Sequence, residues 1–191
     1  MNFTREESMA FFKEHNREEM HLKHALAVEA AMRHFAGHYG EDRDLWGQVG
    51  LLHDIDWETT RSAEGGHPVV GGDWLRERGY DEAFVRAVLA HGWDVCGVEP
   101  RTRLEKTLYT IDELTGFVTA VALVRPGKSL QNLEVKSVKK KWKDKSFARG
   151  VDRGVIERGA ALMGEPLERL IEFTIEALRP VEREIGLGES F

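Results

Sequence analysis

The sequence is poor in cysteine and proline and has no long apolar stretch. Of its 191 residues, one is a cysteine, Cys96, and five are prolines. A single cysteine excludes an internal disulfide framework and any zinc site built from several thiolates, and it favours a reducing compartment. The longest weakly polar run, residues 117–124, has eight residues, whereas a membrane-spanning helix needs about 20. The charged first segment resembles no secretory signal. We therefore expect a cytoplasmic protein that does not associate with a membrane.

Charge is distributed unevenly along the chain. The formal net charge is −6, but residues 125–153 contain ten basic and three acidic side chains, so this basic segment carries +7 and the remainder −13. A protein with such a balance is not expected to bind nucleic acid over a broad surface. The basic segment leaves room for one local anion site.

Helix-capping patterns recur through the sequence. Thr4 with Glu7, and Thr102 with Glu105, have the spacing of capping boxes, in which a side chain and a backbone amide satisfy each other at a helix start. Asn16 is placed to act as the N-cap of a longer helix. Apolar residues follow these caps at the helical period of 3.6 residues. The pattern predicts several amphipathic helices, and no segment alternates convincingly as a strand does.

The fold predicted from these patterns is all-α. We expect a single domain over residues 1–191, with a core at about 16–124 and with the basic segment and additional C-terminal helices over 125–191. Pro68 is predicted at the first position of a helix, where its missing N–H is not needed. The amphipathic segment Leu167–Leu178 is a candidate surface for a homodimer.

Four histidines and two aspartates fall at helix ends or on inward-facing helix positions. The adjacent pair His53 and Asp54 directly follows the apolar run Val49–Leu52, so both side chains emerge from a buried helix. An ionised carboxylate buried beside an imidazole is costly unless a cation or hydrogen-bond donors compensate it. Imidazole and carboxylate ligands without thiolate suit Mn, Fe, Co, Ni or Zn. The candidate metal ligands are His24, His53, Asp54, His67, His91 and Asp112.

Three segments around these residues resemble a known family. HLKHALAVEAA contains His24, VGLLHDID contains the pair, and LYTIDELTGF contains Asp112. In this order they resemble the HD superfamily of metal-dependent phosphohydrolases, a helical bundle that converges on metal. The resemblance covers about residues 20–120. It implies an HD-domain helical bundle that binds one or two divalent transition metal ions.

The number of metal ions depends on two further histidines. His67 in GGHPVVGGDWL and His91 in AVLAHGWD resemble the extra ligands of family members that hold two metals, and the small residues Gly71 and Gly72 would permit close helix approach. In that reading Asp54 bridges both ions. In a single-metal site His67 and His91 would instead be pocket residues.

The resemblance implies hydrolysis by water that a metal has activated. Candidate catalytic residues are Asp54, Asp56 and Glu58. Some single-metal relatives have a catalytic Glu three residues after the aspartate of the pair. Trp57 stands at that position here, so the general acid or base is open. His21, one helical turn before His24, is a candidate extra pocket residue.

Two readings of the basic segment stay open. Its cations form either a solvated helix face or a cradle for substrate phosphate through charge-assisted hydrogen bonds. The candidate phosphate-binding residues are Arg125, Lys128, Lys139, Lys140 and Arg149.

The expected partner is a small phosphorylated substrate, such as a phosphate ester or a nucleotide. Two alternatives accompany this interpretation. Some proteins with the six-ligand arrangement resemble mixed-valent di-iron oxygenases, including the inositol oxygenases. A domain with a closed metal site would instead be a non-catalytic nucleotide sensor.

Overall fold

The computed structural model describes residues 3–61 and 66–188, and within them it contains helices and no strand, which confirms the all-α prediction. Two short 3₁₀ turns, Pro126–Lys128 and Arg179–Val181, accompany the α-helices. The helices are α1 (Arg5–His15), α2 (Glu19–Tyr39), α3 (Arg43–Leu52), α4 (Trp57–Thr60), α5 (Val69–Arg78), α6 (Glu82–His91), α7 (Trp93–Cys96), α8 (Arg103–Leu123), α9 (Val135–Trp142), α10 (Arg153–Met163) and α11 (Leu167–Leu178).

The two longest helices, α2 and α8, form the centre of the bundle. Helix α3 packs along α2, α6 and α10 pack against α8, and α11 contacts both central helices. Helix α1 covers α3, and α5 packs on α6. Fully buried apolar side chains, among them Val28, Phe35, Leu52, Leu108 and Phe117, fill the space between these helices. The core therefore runs the length of α2 and α8 and supports every helix that carries a candidate ligand.

The structure confirms two of the predicted helix starts and contradicts one. Both capping boxes, at Thr4 and Thr102, are present. Asn16 is not the N-cap of α2: that helix begins at Glu19, and Asn16 lies at the C-terminal end of α1. The buried Asn16 amide donates instead to the carbonyl oxygens of Phe12 and Ile55, at 3.2 and 2.8 Å. A local capping rule cannot detect a carbonyl that lies 39 residues further along the chain.

Two smaller differences concern the start of α5 and the apolar face of α11. Pro68 lies at the N-cap of α5, one position before the predicted one. The apolar face of α11, the candidate dimer surface, is buried within the chain against α2 and α8. None of the described helices has both the length and the apolar character needed to cross a lipid bilayer.

Helix α10 approaches α8 most closely at Gly159. A Cβ atom at this position would lie 2.1 Å from Oγ1 and 2.8 Å from Cβ of Thr110. Thr110 is fully buried, and its hydroxyl donates to the carbonyl oxygen of Lys106, so it has little room to move. The absence of a side chain at Gly159 therefore sets the distance between the two helices.

We predict that Gly159→Ala lowers the melting temperature, because the added methyl group overpacks this contact at a cost of about 1–3 kcal/mol. For a chain of this size that is a fall of several degrees, about 2–4 °C per kcal/mol, measured by circular dichroism. Gly116→Ala on α8 is the matched control, since its Cβ would meet only Val151, at 3.8 Å, and helix propensity alone should then raise stability slightly. Equal effects of the two substitutions would contradict the packing argument.

Candidate metal centre

The six candidate ligands converge because each lies at a helix end or on an inward face near the middle of the bundle. His53 is the C-cap of α3 and Asp54 lies in the following turn. His91 is the last residue of α6, and His67 immediately precedes the start of α5. The long helices α2 and α8 supply the last two ligands, His24 and Asp112.

The first ligand group surrounds one oxygen of Asp54. His24 Nε2 lies 2.9 Å from Asp112 Oδ1 and 3.8 Å from Asp54 Oδ2. His53 Nε2 lies 3.3 Å from Asp112 Oδ1 and 3.4 Å from Asp54 Oδ2. Ligand atoms of His24, His53 and Asp112 lie within 4.8 Å of one another. This arrangement can hold one metal ion.

The second ligand group surrounds the other oxygen of Asp54. Nε2 of His67 and Nε2 of His91 each lie 3.3 Å from Asp54 Oδ1 and 2.9 Å from each other. Gly92 lets the two histidines approach, because a Cβ there would lie 2.6 Å from Cδ of Pro68. The carboxylate of Asp54 therefore separates two sets of imidazoles, one facing each of its oxygens.

The Nδ1 contacts of His53 and His91 turn the Nε2 atoms of both rings toward the ligand cluster. His53 Nδ1 lies 2.7 Å from the carbonyl oxygen of Gly50, and His91 Nδ1 contacts that of Val88. A carbonyl only accepts, so both Nδ1 atoms carry a hydrogen, and each Nε2 offers a lone pair when a cation takes the place of any proton there. His53 Nε2 is buried and has no hydrogen-bond partner among the described residues. Lone pairs that converge in this way on a carboxylate fit a divalent cation, and fixed Nδ1 contacts are typical of histidine ligands.

The electrostatics of the cluster also fit cation binding. Burial by itself lowers the pKa of His53, but Asp54 and Asp112 raise it to about 9. Burial raises the pKa of Asp54, yet the effect of His53, His91 and His67 is larger and leaves it lowered. The pKa of Asp112 is likewise well below its ordinary value, because His53 and His24 oppose the effect of burial. Both carboxylates are therefore ionised and able to ligate at neutral pH.

Five of the six ligands form the floor of an open cleft of about 570 Å³, and the sixth, His53, is fully buried. Sequence reasoning missed several residues of its walls, including Asp94, Tyr109 and Glu113. Burial, together with the negative charges of Asp112 and Asp152, raises the pKa of Glu113 to about 7. Tyr109 donates to Asp94 at 3.1 Å. The sequence offered one signal for Glu113, because this residue directly follows the candidate ligand Asp112. Helical geometry alone does not show how wide the cleft is, and so does not show that it reaches Glu113.

Asp56 and Glu58, two of the three candidate catalytic residues, contact other protein groups. The carboxylate of Asp56 is fully buried and accepts from His67 Nδ1 at 2.7 Å and from the backbone N–H of Gly71 at 2.8 Å. A Cβ at Gly71 would lie 3.1 Å from Asp56 Cγ, so the expected close approach of α5 is present. Glu58 accepts from the backbone N–H groups that precede α2 and lies 3.4 Å from His21 Nδ1. Asp54 alone lies between the two ligand groups.

The structure does not bring the candidate phosphate-binding cations into the cleft. Lys139 pairs with Glu168, and the Arg125 guanidinium donates to the carbonyl oxygen of Asn132 at 2.8 Å. Lys128 and Lys140 are exposed, and neither lines the cleft. Arg149 is exposed and directly precedes Gly150, which does line it. Phosphate binding by these five residues stays a prediction.

Comparisons with known proteins agree with this geometry. Residues 22–116 match the family model of the HD domain. The chain is similar to Ribonuclease Y of Rhodopirellula baltica, with 31% identity over 150 residues, 78% of this chain and 26% of the relative. It is 30% identical to Ribonuclease Y of Oleidesulfovibrio alaskensis and 32% identical to that of Clostridium perfringens, each over 59% of this chain and 20% of the relative. The chain spans about a quarter or less of these relatives' length. No solved structure matches it.

We predict that the purified protein binds two divalent ions per chain, counted by elemental analysis after loading with Mn, Co, Ni, Fe or Zn. His24→Ala and His67→Ala should each reduce the count to about one, because each removes a ligand from a different group. His38→Ala, at an exposed position of α2, is the matched control and should leave the count at two. One ion in the wild type and an unchanged count in His67→Ala would show that the second group does not bind metal.

We also predict that Asp56→Asn weakens binding of the second ion about 10- to 100-fold, the usual effect of removing a partner that orients a metal ligand. The substitution replaces the carboxylate that faces His67 Nδ1 with a neutral amide. Competition with a chelator would measure the affinity, and Asp73→Asn, an exposed carboxylate on α5, serves as the control. Equal affinities in Asp56→Asn and the wild type would rule out this role for Asp56.

Proposed function

Through residues 22–116 the chain belongs to the HD-domain family, and we propose that it is a metal-dependent phosphohydrolase acting on a small phosphate ester or nucleotide. The observation that carries this proposal is the position of Asp54. Its two oxygens face separate groups of imidazoles at the floor of an open cleft. A site closed on all sides would suit a structural metal, whereas an open one admits a substrate.

The protein's own groups prepare the site for this chemistry. Divalent cations bound there would supply an activated water and a positive charge for the phosphoryl oxygens. Asp54 and Asp112 stay ionised because histidines surround them. Gly50, Val88 and Asp56 fix three imidazole rings through their Nδ1 atoms. The ligands are thus oriented before substrate arrives, which avoids the cost of ordering them during the reaction.

The charge of the cleft walls favours a small substrate. Acidic side chains line it, and no Lys or Arg is found among the described residues of its walls; the wall carboxylates are Glu18, Asp94, Glu113 and Asp152. Glu18 and Asp94 are paired with Arg61 and Arg158, and the pKa of Glu113 is raised to about 7, so little of this negative charge is free. The described walls nevertheless offer no track of cations of the kind that holds a long polyanion. The relatives are named Ribonuclease Y, so RNA is the alternative substrate class that an experiment must include.

An apolar recess next to the cleft suits the organic part of such a substrate. This recess has a volume of about 260 Å³ and shares Met20, His24 and Gly116 with the cleft. Its remaining walls include Ala27, Leu123 and other mainly apolar groups. Binding sites of this kind combine apolar surface with a few oriented polar groups. A phosphoester with an apolar or planar organic group would fit with its phosphate in the cleft and its organic group in the recess.

Three further proposals concern the protein's location, its phosphate-binding residue and its oligomeric state. The single cysteine supports a cytoplasmic location. Arg149, beside the cleft residue Gly150, is our first candidate among the predicted phosphate-binding cations. A homodimer is proposed without a specific interface.

We predict that metal-loaded protein hydrolyses at least one member of a panel of nitrophenyl phosphates, mononucleotides, cyclic nucleotides and short RNA strands, measured as released phosphate or product. Asp54→Asn should reduce turnover to background, because it removes the charge shared by both ligand groups, and His38→Asn should retain it. Turnover of RNA alone would replace the small-substrate proposal. Oxygen uptake by iron-loaded protein without hydrolysis would favour an oxygenase, and metal binding with neither reaction would favour a nucleotide sensor.

A further inference from the structure

His21 is a buried histidine of the cleft that is not among the six candidate ligands. It lies on α2 one turn before His24, its side chain is 5% exposed, and it lines the cleft. Its ring packs edge-on against Phe12, with centroids 5.2 Å apart. Nε2 points toward Asp54 Oδ2 at 3.8 Å and has no hydrogen-bond partner among the described residues. A buried polar atom without a partner is uncommon, so it calls for an explanation.

Glu58 fixes the orientation of this ring. Its carboxylate accepts from the backbone N–H groups of Arg17, at 2.9 and 3.0 Å, and of Glu18, at 2.8 Å. The same carboxylate lies 3.4 Å from His21 Nδ1. Since an ionised carboxylate can only accept, Nδ1 carries the hydrogen and neutral His21 presents a lone pair at Nε2.

The direction of that lone pair indicates what His21 binds. It faces Asp54 Oδ2, which is also an acceptor, and 3.8 Å is too long for a direct hydrogen bond. A group that donates two hydrogens satisfies both acceptors at once, and water is the smallest such group. Phosphoryl oxygens donate no hydrogen, so they do not fit between the two atoms. His24 Nε2 lies at the same 3.8 Å from this oxygen but also lies 2.9 Å from Asp112 Oδ1, whereas among the described residues His21 Nε2 contacts no carboxylate other than Asp54. His21 therefore stands at the edge of the first ligand group, where a bound water fits.

We infer that His21 Nε2 accepts a hydrogen bond from the water that attacks phosphorus, and thereby orients it. Glu58 is the positioning residue, acting through Nδ1 of His21. This inference rests on the proposed hydrolysis and adds a residue of this chain to it. It also gives Glu58, predicted from the sequence as catalytic, a defined indirect role.

The test compares two substitutions of His21 in metal-loaded protein. His21→Phe keeps the ring that packs on Phe12 but removes both nitrogens. We expect kcat to fall about 100-fold, the effect of misplacing a reacting group, with KM and metal content unchanged. His21→Gln restores an acceptor close to the position of Nε2 and should recover part of kcat. Glu58→Gln should lower kcat less than His21→Phe, again without a change in KM. His38→Phe, at an exposed position of the same helix, should behave as wild type.

A second measurement does not depend on turnover. Fluoride can replace a metal-bound water but has no hydrogen to donate to Nε2, so His21 should disfavour it. In cobalt-loaded protein, followed by visible absorption, His21→Phe should bind fluoride about two- to tenfold more tightly than wild type, the value of one hydrogen bond. Unchanged fluoride affinity would overturn the inference, whether or not a substrate has been found.

The remaining outcomes separate this inference from the proposed function. Loss of a metal ion in His21→Phe would make His21 a ligand, and a rise in KM alone would make it a substrate-binding residue; either result overturns the inference. Normal kcat in His21→Phe, in a wild type that hydrolyses phosphoesters, would do the same and leave the proposed function intact. Absence of hydrolysis in wild type, together with the expected fluoride result, would keep the hydrogen bond between His21 and a metal-bound water and would overturn the proposed function, and with it the role of that water in attack on phosphorus.

Discussion

The carboxylate of Asp54 is the constraint on which the rest of the structure depends. It is almost completely buried, and its two oxygens face different sets of imidazole nitrogens, those of His67 and His91 at Oδ1 and those of His53, His24 and His21 at Oδ2. An anion in such a place is tolerated only when surrounding charge and hydrogen-bond donors offset its desolvation. Four helices and two turns therefore have to end, begin or cross within a few ångströms of one side chain. The long α2 and α8 provide the rigid frame, and the shorter helices deliver their last or first residues to it.

Two carboxylates outside the ligand set, those of Asp56 and Glu58, hold histidines of the site in position. Asp56 contacts His67 and the backbone of α5, while Glu58 contacts His21 and the start of α2. Both carboxylates thus connect a histidine of the site to a helix terminus. A displacement of either helix would be transmitted directly to an imidazole ring. Asp56, in the turn after α3, and Glu58, in α4, act mainly as links between secondary structure and the site, and Asp54 alone lies at its centre.

Much of the site could be predicted because its signals are local or follow from the family resemblance. The apolar run before His53 and Asp54 indicates that the pair is buried, and the structure brings all six predicted ligands together. The roles of Asp56 and Glu58 could not be predicted, since the direction of each side chain in a tight turn depends on helices distant in sequence. The same limit explains Asn16, whose amide donates to the carbonyl oxygens of Phe12 and Ile55 at the end of α1 and which is not the N-cap of α2. The +7 of the basic segment was visible in the sequence, but its pairing with Glu168 and with backbone carbonyls depends on tertiary structure.

The floor and one wall of the cleft come from two separate segments of the chain, and these segments can change independently in evolution. Its floor comes from the segment that matches the HD domain, whereas residues 150–152 and Val155, outside that segment, form one of its walls. Helix α10 contacts α8 closely but contributes none of the six ligands. Mutations in this wall can therefore accumulate without weakening the ligand set. Selection can adjust which molecules enter the cleft while the inherited chemistry at its floor is retained, so that new specificities can arise from an old reaction.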